Sequence, residues 1–299
     1  MRSTILILII LQLYFLPVKG EWLVSTEDWV SVHHHESDAA NVKAILDAVY
    51  FSYPDISDKL GLKFNGALEI YLASRPAEYG ELTEWKLPVW SQGVAFTDKK
   101  MVVLKSPRYS GSQIDLSKAA VHEFIHILIA NEVGRIPLWL NEGLAVMLSG
   151  EGYFDDRSLT QASFTGKFIS LKEMERVLNF SPGEAQLAYQ QALAITRYFA
   201  AQFGWEAVQK FLWGVKAGDD WEHAFMQATG LWMDEFENEW LKKMGGKYKY
   251  SALKDWNFYF SYVFLPLLAL GGLFAYFRRR RIVKQWKREE DYYDYGDYS

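Results

Sequence analysis

The 299-residue chain has a net charge of −5, half of its residues are apolar, and none is cysteine. The acidic balance argues against a nucleic-acid binder, and the missing cysteines exclude disulfides, Cys-ligated metals and a thiol nucleophile. Length and apolar content suffice for one large or two modest cores and exclude a disordered polymer.

Met1 and Arg2 precede an apolar run over residues 5–18, followed by Lys19-Gly20. The run is short for a membrane span, so residues 1–20 read as a cleaved signal peptide, with an uncleaved anchor as the alternative. Either puts the following segment outside the cytoplasm, in the periplasm if the source is a Gram-negative bacterium. Trp29-Val30-Ser31-Val32 reads as a strand running into His33-His34-His35. Only alternate residues of a strand share a face, so the triplet reads as an exposed strand end in preference to a second metal site. Residues 39–53 carry apolar side chains at helical spacing, with Pro54 as the stop. Residues 62–72 alternate in part and read as a strand. Residues 74–90 form a long irregular stretch of the kind that usually has a function. Residues 93–96 and 101–104, joined through Asp98-Lys99-Lys100, read as a hairpin.

Next comes His122-Glu123-Phe124-Ile125-His126 inside an apolar run, expected as a helix over residues 114–131 closed by Gly134. Residues four apart share a helix face, so both imidazoles can bind one metal ion with Glu123 beside it. The competing reading is two histidines on a polar helix face. Glu142 follows within Trp139-Leu140-Asn141-Glu142-Gly143-Leu144-Ala145, in a second apolar helix that begins at Pro137 and stops near Gly150. Its carboxylate can fold back as a third ligand and leave one position open for water, as catalytic zinc requires. Gly143 weakens that helix, and the expected compensation is a close approach of the two helices at the metal.

His-Glu-x-x-His followed by Trp-Leu-Asn-Glu-Gly-Leu-Ala resembles the gluzincin metallopeptidases, in particular the peptidase MA-like family. The resemblance covers residues 29–204 and is strongest over 119–149. It implies an α+β zincin-like domain with a small N-terminal mixed sheet, an active-site helix and a C-terminal helical subdomain. It further implies one Zn²⁺ held by His122, His126 and Glu142, with Glu123 as general base, and a peptide or protein substrate. In gluzincins the edge strand before the metal helix pairs with the substrate backbone, and residues 93–96 hold that place here; an ordinary hairpin is the alternative. Tyr189, in Tyr189-Gln190-Gln191-Ala192, is an oxyanion-donor candidate, against the commoner role of a core tyrosine. One departure stands out. Thermolysin-type relatives carry an Asp four residues after the ligand Glu, where this chain has Val146, so the outer support of a ligand His has to come from elsewhere.

Beyond Glu151 the spacing is helical over 171–178, 184–203, 206–215, 221–229 and 233–244, with no internal repeat. Residues 256–277 hold an uncharged stretch long enough for a transmembrane helix, with Arg278-Arg279-Arg280-Arg281 after it. The expectation is a single-pass anchor in the lipid bilayer, a cytoplasmic C-terminus, and a solvated acidic tail over 289–299. The domain reading is 1–20 signal peptide, 21–113 and 114–255 the two parts of the peptidase domain, 256–277 the span, and 278–299 the tail. Function then reads as a membrane-anchored zinc metallopeptidase acting outside the cytoplasm, with endopeptidase slightly preferred. The rivals are an inactive receptor or scaffold of the same fold and a binding module working through its tail.

Overall fold

The computed structural model describes residues 21–84, 93–110, 115–151, 157–177, 180–252 and 259–294. The signal-peptide reading of residues 1–20 lies outside these residues. The chain is mostly helical with one small mixed sheet, and it divides into two compact units.

The first unit comprises residues 1–153 and 192–230. Its sheet is built from β1 (Leu23–Glu27), β2 (Val30–His34), β3 (Leu68–Ala73), β4 (Gly93–Phe96) and β5 (Met101–Lys105), in the order β1-β2-β3-β5-β4. β2, β3 and β5 are parallel, while β1 and β4 pair antiparallel at the two edges. Alternation selects the core face: Val30, Val32, Leu68, Ile70, Leu72, Val102 and Leu104 are wholly buried. Helix α1 (Ala39–Leu60) makes the crossover from β2 to β3, and α4 (Leu116–Glu132) packs against α1, β4 and β5. Phe124 of α4 is wholly buried, with its ring 5.3 Å from both Trp29 and Phe64.

α1 does not stop at Pro54 as its sequence suggests, but continues to Leu60. The proline sits on the exposed side, where the Tyr50 carbonyl it strands is near water. Val49, Ile56 and Leu60 meanwhile carry the buried stripe past it. The strand expected over 62–72 begins only at Leu68, because Gly66 adopts φ +114° in a turn that glycine favours. Part of the irregular 74–90 stretch is α2 (Pro76–Thr83), with proline in its first turn and Tyr79 buried; residues 85–92 lie outside the described residues. A four-residue turn of helix, α3 (Pro107–Ser110), leads on from β5.

The histidine triplet is not an exposed strand end. His33 Nε2 lies 2.6 Å from Glu69 and stacks on Tyr71, and His35 Nε2 lies 2.7 Å from Glu78. His34 is buried, 3.1 Å from Ser25 Oγ. Each ring has its own partner, and the triplet forms no metal-holding group among the described residues.

α5 (Leu138–Ser149) follows α4 directly, and α9 (Trp221–Thr229) closes this unit. Trp139 of α5 is almost wholly buried against Phe199 and Phe225. Phe199 lies on α8 (Pro182–Ala217), a helix interrupted at Gly204, whose φ of +79° and ψ of 168° are non-helical.

The second unit comprises residues 154–191 and 231–299. α6 (Arg157–Thr165), which has no counterpart among the helices expected from the sequence, packs on α10 (Met233–Ala252). The short α7 (Leu171–Met174) opens with a capping box of Ser170 and Glu173. Trp240 is buried with Phe168 edge-on to it, and Glu237 accepts a hydrogen bond from the Leu171 amide at 3.0 Å.

The transmembrane helix expected at 256–277 is overturned: among the described residues no helix is long and apolar enough to cross a membrane. A π-helical segment, Tyr259–Phe264, precedes α11 (Leu265–Asp294), and Arg278 to Arg281 lie inside α11 instead of flanking it. At 1.5 Å per residue, the charge-free part from Leu265 to Phe277 reaches only about 20 Å, short of the roughly 30 Å hydrocarbon core. The lipid-bilayer partner inferred from that anchor has no support from a spanning helix among the described residues. The first residues of the expected solvated tail, Glu289 to Asp294, are also helical.

Phe124 joins the α4 helix to the aromatic cluster behind it. Phe124→Ala should lower the unfolding free energy by about 3–5 kcal/mol, read from the denaturant midpoint at constant slope. A loss under about 1 kcal/mol would mean that α4 is held by something else.

Candidate metal centre

From Ala119 to Ile129 every residue of α4 is buried except His122, Glu123 and His126. Core packing on the other faces fixes the rotation of the helix and leaves this polar trio on one side. Asp115 caps the start of α4 by accepting from the Lys118 amide at 3.3 Å. At the other end Gly134, at φ +99°, lets the chain turn away, and its amide bonds to the Ile129 carbonyl. α5 then returns across α4 and presents Glu142 from its first turns.

Three ligand atoms meet there. His122 Nε2 and His126 Nε2 are 3.0 Å apart, and each is 3.7 Å from Glu142 Oε2. The circle through a triangle with these sides has a radius of about 2.0 Å, which matches zinc–nitrogen and zinc–oxygen bond lengths. Two neutral imidazoles that face each other with lone pairs repel unless a proton or cation lies between them. Two imidazoles and a carboxylate also form a donor set suited to a borderline divalent cation. His122, His126 and Glu142 are the one such group among the described residues.

Glu123 stands beside this group and against β4. Its carboxylate accepts from the Ala95 amide, and a Cβ added at Gly93 would lie 3.0 Å from Glu123 Oε1 and 2.7 Å from Leu104 Cδ2. Burial, reinforced by the Glu142 and Glu151 charges, pushes the Glu123 carboxyl up to about 7 against the opposing pull of His122 and the Ala95 amide. Burial would also raise Glu142, but the His126 and His122 imidazoles hold it below its ordinary value. Desolvation lowers His126. It works against His122 too, yet the Glu142 and Glu151 carboxylates lift that ring well above the usual range.

Glu151 is the participant that the sequence did not disclose. α5 ends at Gly150, in the left-handed conformation at φ +63°, and the next residue comes back to α4. Glu151 Oε2 lies 2.6 Å from His122 Nδ1. Val146, at the position of the thermolysin-type Asp, has no charge to offer. The only sequence signal was a glycine at the helix end with an acid directly after it.

Gly143 does have a packing reason, though not the expected one. A Cβ there would lie 2.0 Å from Thr196 Oγ1 and 2.6 Å from the Ala192 carbonyl oxygen. The glycine lets α5 close on α8, not on α4. Tyr189, the oxyanion-donor candidate, is a partly buried residue of the second unit. His223, on α9, is exposed and bonds to Asp220 at the start of its own helix.

The profile of the peptidase MA superfamily matches residues 55–246, more than half of the chain. The chain belongs to the peptidase MA superfamily. It is a peptidase, of a family usually dependent on a metal, and its match takes in the whole of α4 and α5. No curated protein matches the peptidase.

Gly143→Ala in this peptidase should cost about 1–3 kcal/mol in thermal or denaturant unfolding, the usual price of overpacking. Adding Thr196→Ala should recover only part of that loss, because the Ala192 carbonyl is backbone and stays in the way. Full recovery would show that the hydroxyl was the whole obstacle.

Proposed function

We propose that this peptidase is zinc-dependent, with His122, His126 and Glu142 holding the ion and Glu123 acting as general base. The observation that carries the reading is the convergence of two Nε2 atoms and one carboxylate oxygen on a circle of bond-length radius. When bound, zinc supplies Lewis acidity that polarises the scissile carbonyl and brings the pKa of water to about neutral.

The chain's own residues do the rest. Glu123 takes a proton from the attacking water as the oxygen adds to the peptide carbonyl carbon. As the C–N bond breaks, Glu123 passes that proton to the leaving amine. β4 lies at the sheet edge next to Glu123, so an extended substrate can add to it through backbone hydrogen bonds. Such docking needs no terminal amine or carboxylate, which favours internal cleavage of a peptide. A Glu142 carboxylate held away from the imidazoles would favour an inactive scaffold of the same fold; here it lies 3.7 Å from each.

Replacing Glu123 with Gln keeps the shape and the ligand set but removes the proton acceptor. Zinc content of the purified chain should stay at the wild-type level, while cleavage of a peptide library should fall by about 10²–10⁴-fold. Wild-type cleavage by that variant would remove Glu123 from the chemistry. Failure of the zinc-loaded wild type to cleave any peptide would favour the scaffold.

A further inference from the structure

We infer that Glu151 is a positioning residue for the metal centre: its carboxylate holds the His122 imidazole with Nε2 turned to the ion. The inference rests on the ligand set proposed above and assigns a further residue to it. A histidine that ligates through Nε2 must carry its proton on Nδ1, and the group facing that proton fixes both tautomer and ring orientation. His122 Nδ1 is shut off from solvent, with no aligned hydrogen-bond acceptor among the described residues. The anion it does have is Glu151 Oε2 at 2.6 Å, off the line of the N–H, so the contact is one of charge.

The two glutamates bracket one ring. Glu142 Oε2 faces Nε2 at 3.7 Å and Glu151 Oε2 faces Nδ1 at 2.6 Å, so α5 and its terminal glycine clasp His122 from both sides. The return of Glu151 is built in. Gly150 supplies the left-handed turn, and the Glu151 amide donates to Ser149 Oγ at 3.0 Å. A carboxylate just beyond the helix thus stands in for the one that Val146 does not provide within it. His126 has no carboxylate in that position: its Nδ1 is buried without an aligned hydrogen bond among the described residues, and the side chain that acts on this ring from α5 is the amide of Asn141.

The test compares zinc affinity of the full-length wild type, Glu151→Ala and Glu151→Gln, each in competition with a chelating dye. Unfolding temperatures of the same proteins stripped of metal are measured alongside. Glu239→Ala, an exposed acid of the second unit, is the control. Loss of an outer-shell partner typically costs about 10–100-fold in metal affinity, and that loss is expected for Glu151→Ala. Glu151→Gln should lose less, because its amide oxygen still presents a partial negative charge to the Nδ1 proton. The metal-free unfolding temperatures should match the wild type, and the control should bind as the wild type does. Wild-type zinc affinity in Glu151→Ala would overturn the inference and leave the ligand set standing. A lowered metal-free unfolding temperature, with equal losses of affinity in both variants, would make Glu151 a residue of the fold and overturn it as well. A wild type that takes up no zinc would overturn the ligand set, and this inference with it.

Discussion

Three carboxylates and two imidazoles crowd into one spot that α4 and α5 shield from water. Like charges at such short range oppose one another, and desolvation penalises each of them further. The strain shows in the groups themselves: Glu123 is driven toward its neutral form, while Glu142 stays anionic only through the neighbouring imidazoles. A divalent cation in their midst converts most of that repulsion into attraction, which is why the donor set reads as a metal centre and not as a salt-bridge network.

Such a cluster needs a stiff frame. The buried face of the sheet and α1 hold α4 from behind, with Phe124 at the centre of the contact. α5 is held from its own far side by Trp139 and by the close approach at Gly143. The polar residues of the site lie where these two packing faces leave off.

The centre was legible in the sequence because a four-residue interval has one meaning on a helix, and the apolar run around His122 and His126 ensures the helix. Glu142 was legible through its motif. Glu151 was not, because its place depends on how the chain leaves a helix at Gly150, which no periodicity records. Of the fold, the hairpin of β4 and β5 stood out from its short turn and two apolar runs. Pro54 misled because a proline on the solvent side of a long helix is tolerated when the buried stripe continues beneath it. The histidine triplet misled in another way: Glu69 and Glu78, distant in sequence, are brought to it only by the fold. At 256–277 an apolar run does not disclose where a continuous helix begins. Structure starts the α-helix at Leu265 and runs it straight through the arginines.

The account stands on three side chains of two consecutive helices sharing one ion. X-ray absorption at the zinc edge of the metal-loaded chain tests this sharing without reference to activity. It should show one ion per chain with two imidazole nitrogens and carboxylate oxygen at about 2.0–2.1 Å. Scattering from a single imidazole, or from oxygen ligands alone, would contradict it.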